Sequence, residues 1–278
     1  MITTEVIVVT DEEVKSLAQS ILSRYGIDFT CYEPKSFRRR IIRILHLYNF
    51  KSTLELWNRF LRDRNFVYDF MNDISVGMTS MFRDPAMWKS LRGIVKKKYE
   101  GANEINVWHA GCSTGEEVYS MGMLLKETEL QSKTRAIATD INQGAMREAE
   151  EGVYHKIKMI ENEKNYLEFN KYGHFNRYYE NEGTMVKMNP DLISHVKFEY
   201  QNLITEEPPQ PKLFDIVFCR NVMIYFDNPA KEKILDKFYS VIKPGGLLII
   251  GFYDTMLPLL KQRLFSFEDE EAKIFRRE

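Results

Sequence analysis

The stretch that decides the fold of this chain is Trp108-His109-Ala110-Gly111-Cys112-Ser113-Thr114-Gly115-Glu116-Glu117. It joins an apolar run at 105–111 to a helical pattern at 116–130 through a turn that contains glycine. Open α/β sheets bind ligands at such turns, at the carboxyl ends of their strands. Neither GxGxxG nor GxxxxGK[ST] occurs, which disfavours a dinucleotide or nucleoside triphosphate. Glu116 and Glu117 would repel phosphate and suit a cationic or hydroxyl-rich ligand.

Similar strand patterns recur downstream at 135–139, 214–219 and 246–252, with helical patterns at 143–151 and 229–242. Alternating strands and helices predict a parallel α/β sheet of the Rossmann-like type. The chain before this region has only helical periodicity from about residue 11 to residue 72. We therefore expect a helical N-terminal domain over 1–72, a linker over 73–88 and an α/β domain over 89–278. Short strand patterns predict a small antiparallel β-subdomain insert at about 176–200.

Composition excludes several classes of protein. The 278 residues include 39 Lys and Arg against 40 Asp and Glu, a net charge of -1, which argues against a general nucleic-acid binder. Three cysteines without a CxxC pair indicate neither a disulfide framework nor a metal site. The N-terminus lacks the basic region of a signal peptide, and no apolar run approaches the roughly 18 residues of a membrane span. We expect a cytoplasmic protein without membrane insertion.

Asp140 ends the strand pattern 135–139, where a carboxylate commonly accepts hydrogen bonds from ribose hydroxyls. The alternative for Asp140 is an ordinary helix N-cap, and the alternative for the glycine turn is tight packing. Cys219-Arg220-Asn221 follows the third strand, and Lys243-Pro244-Gly245-Gly246 predicts a turn into the fourth. An acidic site of this kind, poor in phosphate-binding groups, suggests S-adenosylmethionine as the cofactor.

These residues resemble the CheR-type chemotaxis receptor methyltransferases, which are S-adenosylmethionine-dependent protein-glutamate O-methyltransferases. The resemblance covers nearly the whole chain in collinear order, and CSTGEE at 112–117 with CRNVMIYF at 219–226 is its most specific part. It implies a helical N-terminal domain, a linker, and a Rossmann-like methyltransferase domain with an antiparallel β-subdomain. Further matching segments are 36–40, 79–84, 138–142 and 152–154.

The resemblance also implies roles for individual residues. Glu117 would meet the amino group of the cofactor and Asp140 its ribose, with Thr79 and Arg83 closing over it. Arg83 and Tyr225 would be the catalytic residues near the methyl group. The other cofactor-binding positions implied are Asn202 and Leu203 on the adenine side and Arg220 and Asn221 at the methionyl end.

A glutamate acceptor agrees with the residues present. A carboxylate with a pKa of about 4.3 is already ionised at pH 7, so its methylation needs no general base. The five histidines form no obvious catalytic constellation. Without the family context, a packed aromatic residue would explain Tyr225 equally well.

The predicted helix at 34–48 carries a cluster of arginines. Its apolar stripe contains Phe37, Ile41 and Ile44, which puts Arg39 and Arg43 on the opposite face. Arg38 and Arg40 flank that face, and we expect these four arginines to bind the acidic cytoplasmic helices of a chemoreceptor. The alternative is a solvated face paired with the chain's own acids.

Three departures from the family pattern bear on function. Gly77 stands where the family usually has Asn, and Gly251-Phe252-Tyr253-Asp254 stands where Gly-His-Ser-Glu is common. The turn at Asn181-Glu182-Gly183 is shorter than the loop implied for family members that dock on a receptor's C-terminal pentapeptide, so we expect independence from that tether. We also expect a monomer. Two alternatives remain: a weakly active or inactive signalling protein that binds S-adenosylmethionine or S-adenosylhomocysteine, and a carboxyl methyltransferase for another protein.

Overall fold

The computed structural model describes residues 7–74, 79–210, 213–254, 256–262 and 264–278. The chain divides into two compact units. The first contains residues 1–76 and 224–232, and the second contains 77–223 and 233–278. The motif at 219–226 therefore begins in the second unit and ends in the first. Gly77 lies outside the described residues.

The described residues of the first unit before residue 76 form four helices, and the first three begin on local signals. Thr10 and Glu13 form a reciprocal capping box at the first helix, and Pro34 opens the second behind the side-chain cap of Glu33. Ser52 caps the third. The helices bury one apolar face each around Phe29, Phe60 and Phe70. Their bounds are α1 Asp11–Tyr25, α2 Pro34–Leu47, α3 Thr53–Arg62 and α4 Phe66–Ile74.

The second unit is a seven-stranded sheet, within the described residues, flanked by helices and carrying a smaller sheet. Its helices are α5 Pro85–Tyr99, α6 Glu116–Glu127, α7 Gln143–Glu151, α8 Lys156–Phe169 and α10 Leu257–Gln262, while α9 Asn228–Val241 begins in the first unit. Its strands are β1 Ile105–Ala110, β2 Thr134–Asp140, β3 Val153–His155, β4 Tyr179–Glu182, β5 Met185–Met188, β6 Val196–Tyr200, β7 Phe214–Cys219, β8 Ile242–Ile250, β9 Phe265–Asp269 and β10 Ile274–Arg277.

The large sheet has the order β6-β2-β1-β7-β8-β10-β9. The first five strands are parallel, and β10 runs antiparallel to both β8 and β9. β1 and β7 are buried along their whole length, as expected for central strands covered on both faces. The carboxyl ends of β1, β2, β7 and β8 thus share one edge. This confirms the predicted Rossmann-like class with a small antiparallel β-subdomain.

One detail of the sequence prediction is wrong. Residues 196–200 form β6 and pair with β2 in the large sheet, and β3 supplies the third strand of the small sheet β3-β5-β4 instead. The pattern of residues 196–200 covers so few positions that only long-range pairing decides their partner. Lys243-Pro244-Gly245-Gly246 lies at the start of β8, where the sequence predicts the entry into the fourth strand, and this is the edge opposite to the ligand edge.

Among the described residues, no helix combines the length and the apolar character that crossing a bilayer requires.

Candidate functional site: the carboxyl edge of the large sheet

The loop between β1 and α6 is fastened to the end of β2. The backbone N–H groups of Gly111 and Cys112 both donate to the carbonyl of Thr139, at 2.8 and 3.0 Å. Ser113, at φ +50°, donates its N–H to Asp140 Oδ2 at 2.8 Å. A methyl group on Gly111 would lie 2.4 Å from Val222 Cγ2, and one on Gly115 would lie 2.6 Å from Ala149 Cβ. Tight packing against protein therefore accounts for both glycines.

Asp140 holds the loops on both sides of it. Its Oδ2 accepts from Ser113, and its Oδ1 accepts from the Asn142 N–H at 2.8 Å. Burial raises the pKa of the Asp140 carboxyl, and these two backbone donors oppose that rise. The N-cap of α7 is Asn142, whose side chain accepts from the Ala145 N–H at 2.9 Å, so the N-cap interpretation of Asp140 is wrong. Each carboxylate oxygen keeps acceptor capacity for a hydroxyl group.

The two acids at the start of α6 have different surroundings. Glu116 is fully buried, where it accepts from Thr114 Oγ1 at 2.6 Å and pairs with Lys158 Nζ at 3.1 Å. Burial raises the pKa of Glu116 despite Lys158. Glu117 is 16% exposed; its Oε1 lies 3.0 Å from His109 Nδ1 and its Oε2 lies 3.2 Å from an Arg220 nitrogen. Of these two acids, only Glu117 is therefore placed to contact a ligand. The sequence pattern at 111–117 does not by itself distinguish Glu117 from Glu116.

Glu117 keeps its negative charge near neutral pH. Burial by itself would raise the pKa of Glu117, but the hydrogen bond from His109 and the charge of Arg220 outweigh it and hold the pKa below its usual value. The His109 ring in turn stacks on Phe218 with 4.7 Å between ring centroids. The result is a fixed, ionised carboxylate beside the ends of β1 and β7, which suits a cationic ligand group.

Arg220 joins this carboxylate to the linker that precedes α5. Its side chain is 3% exposed and contacts Glu117, the Arg83 carbonyl at 2.9 Å and Asp84 Oδ2 at 2.7 Å. Asp84 adopts φ +60° at the N-terminus of α5 without capping it, so its carboxylate is available to Arg220. Arg220 Nε is buried and has no hydrogen-bond partner in the described part of the chain. Sequence reasoning missed Asp84 and His109, because neither lies beside Glu117 or Arg220 in sequence.

Further contacts hold the linker on the second unit. The Met81 N–H donates to Asn162 Oδ1 at 2.9 Å, and the Phe82 N–H donates to Ser120 Oγ at 2.8 Å. Trp88 Nε1 donates to the Arg83 carbonyl at 3.1 Å. Thr79 and Arg83 are partly buried at the two ends of this segment. The backbone that carries Arg83 therefore has a defined place, as a residue near a reacting group needs.

The remaining predicted residues of the second unit lie in loops at the ends of β6 and β7. Asn202 accepts from the N–H groups of Ile204 and Thr205, at 3.0 and 3.3 Å, so its side-chain oxygen closes its own turn. The Leu203 carbonyl accepts from Lys237 Nζ at 3.1 Å. Asn221, at φ +59°, donates its N–H to Asp254 Oδ2 at 2.8 Å.

Asp254 resolves one departure from the family pattern. Its Oδ2 accepts from the N–H of Asn221, after β7, and from the N–H of Gly251, after β8, both at 2.8 Å. Asp254 is buried, and it stands at the position of the acid in the Gly-His-Ser-Glu pattern. An acid at this place can join the two strand ends without the intervening His and Ser.

The four candidate arginines of α2 differ in exposure, although the sequence groups them on one basic surface. Arg39 and Arg43 are exposed on α2, whereas Arg38 pairs with Asp11 of α1. Arg40 is only 7% exposed, so the expectation that it lies on the exposed basic face is wrong. Its guanidinium lies over the ring of Tyr225 and donates to the Ile74 carbonyl. These contacts explain the burial of a charged residue that the helical pattern placed at the surface.

Comparison with known proteins agrees with this fold. Residues 77–273 match the family described as CheR methyltransferase, SAM binding domain, and residues 12–75 match the CheR methyltransferase all-alpha domain. The chain therefore belongs to the CheR methyltransferase family, a class of S-adenosylmethionine-dependent methyltransferases.

Individual relatives match over most of their length. The Cher3 protein of Pseudomonas putida is 33% identical over 92% of this chain and 97% of its own. The chemotaxis protein methyltransferase of Borreliella burgdorferi is 30% identical over 89% of both chains, and that of Escherichia coli is 29% identical over 96% of this chain and 92% of its own. A solved TehB-like SAM-dependent methyltransferase from Corynebacterium glutamicum is 12% identical over 77% of this chain and 94% of its own, with a TM-score of 0.39, too low to support an argument.

The residues at the sheet edge fit the cofactor of this family. S-adenosylmethionine carries an ammonium group and two ribose hydroxyls, and Glu117 and Asp140 supply an ionised carboxylate and free acceptor capacity for them.

Proposed function

We propose that this chain methylates glutamate side chains on the cytoplasmic helices of a chemoreceptor, giving glutamate methyl esters in chemotaxis adaptation. The observation that carries the proposal is Glu117, held ionised between His109 and Arg220 at the carboxyl edge of the sheet, within the region that matches the family's SAM binding domain. Relatives named chemotaxis protein methyltransferases support the choice of substrate.

S-adenosylmethionine, when bound, supplies a methyl group on a positively charged sulfur. Glu117 and Asp140 would hold the cofactor, which would supply this methyl group to an oxygen of the substrate carboxylate and leave S-adenosylhomocysteine as the product. No proton moves, because glutamate is already ionised at neutral pH. The protein therefore has to align two groups and exclude water, which can lower a barrier by about 7–11 kcal/mol.

The chain's residues would divide this work. Glu117 would bind the cofactor ammonium and Asp140 the ribose, while Arg220 orients Glu117 and holds the linker that carries Arg83. Arg83 would hold the substrate carboxylate. Tyr225, a neutral hydrogen-bond donor, would orient a carboxylate with less stabilisation of its ground state. The supporting positions would be Thr79, Asn202, Leu203 and Asn221 around the cofactor.

Docking of the receptor is assigned to Arg39 and Arg43, with Arg38 as a neighbour. Both are exposed and four residues apart on α2, where like charges destabilise an isolated helix by about 0.2–0.5 kcal/mol. An acidic helix would relieve this repulsion. We further propose that the protein needs no pentapeptide tether, because β4 and β5 are joined only by Gly183 and Thr184. We also propose that it acts as a monomer.

Incubation with methyl-labelled S-adenosylmethionine and receptor-containing membranes tests the activity. We expect label on the receptor that alkali releases as methanol, as from an ester. Label that resists alkali, or no label on the receptor while the cofactor still binds, would refute the proposal.

A variant pair tests the docking surface. Arg39→Glu with Arg43→Glu should reduce receptor methylation and leave cofactor affinity unchanged. Arg62→Glu with Arg64→Glu, also exposed in the first unit, is the matched control and should not reduce it. An equal effect of both pairs would contradict the docking assignment. Deleting the C-terminal residues of the receptor should not reduce methylation if no tether is used.

A further inference from the structure

Arg40 is the one residue of the predicted arginine cluster that is buried. It is 7% exposed, whereas Arg39 and Arg43 on the same helix are exposed. An exposed arginine on a helix needs no explanation, but a buried one pays for desolvation unless its charge and its donors find partners. The partners of Arg40 therefore indicate why the fold keeps it.

The main partner of Arg40 is the ring of Tyr225. The guanidinium carbon lies 3.8 Å from the ring centroid, well inside the range of a cation–π contact. One terminal nitrogen donates to the carbonyl of Ile74 at the end of α4, where a cation is favoured. The other terminal nitrogen is buried without a hydrogen-bond partner in the described residues, so the face of the aromatic ring is what compensates its burial.

Arg40 remains a cation in this environment. Burial lowers the pKa of its guanidinium, and the neighbouring Tyr225 and Tyr32 oppose that change. Arginine starts from so high a value that it stays protonated in proteins. The contact with Tyr225 is therefore a desolvated cation over an aromatic face, the arrangement in which such contacts are strongest.

The backbone around Tyr225 is held by other residues of the first unit. The Glu33 N–H donates to the Tyr225 carbonyl at 2.9 Å, and the Asp227 N–H donates to the Cys31 carbonyl at 3.0 Å. Tyr32 and Phe226 form a bridge with their rings 5.2 Å apart. With the backbone fixed in this way, the remaining freedom of Tyr225 is the rotation of its side chain, and Arg40 covers one face of that side chain.

We propose that Arg40 is a positioning residue for Tyr225: its guanidinium holds the ring in one orientation and so fixes where the phenol hydroxyl points. The proposal rests on the catalytic role of Tyr225 given under the proposed function. The role of Arg40 is thus distinct from the docking role proposed for Arg39 and Arg43, which are exposed. Loss of Arg40 should then reduce the rate of methyl transfer and leave cofactor binding unchanged.

A double-mutant cycle tests the coupling. Arg40→Met, which keeps the length of the side chain and removes its charge, should lower kcat about tenfold with an unchanged KM for S-adenosylmethionine. In a Tyr225→Phe background, which has already lost the hydroxyl, the same change should alter kcat less than about twofold. Arg40→Lys, which keeps a cation, should recover part of the loss. Arg62→Met, an exposed arginine of the same unit, is the matched control.

Fluorine NMR tests the contact without relying on activity. With 3-fluorotyrosine in the chain, the Tyr225 signal is the one missing from Tyr225→Phe. Arg40→Met should shift or broaden this signal, and Arg62→Met should not. Arg40→Lys serves both measurements if Arg40→Met does not fold.

The two parts of the proposal fail differently. Full activity of Tyr225→Phe would overturn the catalytic role of Tyr225, on which the proposal rests. An additive double variant, or a Tyr225 signal unmoved by loss of Arg40, would overturn the positioning role alone.

Discussion

The contact between Arg220 and Asp84 should couple the linker to the sheet edge by a measurable free energy. Arg220 is 3% exposed and Asp84 is 28% exposed, with 2.7 Å between Nη2 and Oδ2. Asp84→Asn keeps an oxygen acceptor and removes the charge, and Arg220→Met removes every contact of the guanidinium. The two single variants and the double variant form a thermodynamic cycle with the wild type.

The structure sets the size of each effect. Removing one member of a buried ion pair costs about 3–5 kcal/mol, and we expect about 3 kcal/mol for Arg220→Met because Glu117 and Asp84 keep some contact with water. Asp84→Asn should cost about 1–2 kcal/mol, since Glu117 remains to balance Arg220. The double variant should be less destabilised than the sum by about 1–2 kcal/mol.

Urea unfolding at pH 7, followed by tryptophan fluorescence, measures these free energies, because Trp88 lies close to Arg220. Arg135 and Glu104 form an exposed pair in the same unit, and the Arg135→Met and Glu104→Gln cycle is the matched control, for which we expect no measurable coupling. Additivity of the Arg220 and Asp84 variants within about 0.5 kcal/mol would refute the proposed coupling between these two residues.

Three further predictions concern single residues. Glu117→Gln should weaken binding of S-adenosylhomocysteine, measured by calorimetry, by about 10- to 100-fold, because a charge-assisted hydrogen bond contributes roughly 1.5–3 kcal/mol; unchanged affinity would place the ammonium elsewhere. Burial lowers the pKa of His195 to about 4, so the native state keeps it neutral, and the stability it contributes above pH 6.5 is lost as pH falls towards 4. His195→Gln should remove about 2 kcal/mol of the stability difference between pH 7 and pH 5 in denaturant titrations, and an identical pH profile would contradict this. Gly111→Ala should lower the free energy of unfolding by about 1–3 kcal/mol and weaken cofactor binding, because the φ of Gly111 is +84° and the new methyl group would clash with Val222. A free energy of unfolding equal to that of the wild type would contradict this prediction and show that the loop can rearrange.

Local patterns in the sequence are sufficient to predict much of the fold. Buried β-branched runs and helix caps indicate the alternation of strands and helices, and the turn at 111–115 indicates the ligand edge. The partners of short strands depend on contacts far along the chain, which is why the sequence predicts 196–200 in the small sheet although this segment pairs with β2. The small sheet itself is completed by 153–155.

The same limit applies to the site. Glu117 and Asp140 stand out in the sequence because each follows a strand or a glycine turn, but the partners that tune them do not. Helical periodicity placed Arg40 beside Arg39, and only the tertiary contact with Tyr225 shows that it faces inward. The inward orientation of Arg40 depends on Tyr225, which is 185 positions away in the chain, so no local sequence pattern can predict it.

Mapping the methylated atom by tandem mass spectrometry tests the central claim most directly. Receptor from membranes incubated with S-adenosylmethionine and this protein should carry the methyl group on glutamate side chains within its cytoplasmic helices, and Arg83→Met protein should leave those glutamates unmodified. A methyl group on lysine, arginine or cysteine, or an unmodified receptor beside another methylated protein, would contradict the account.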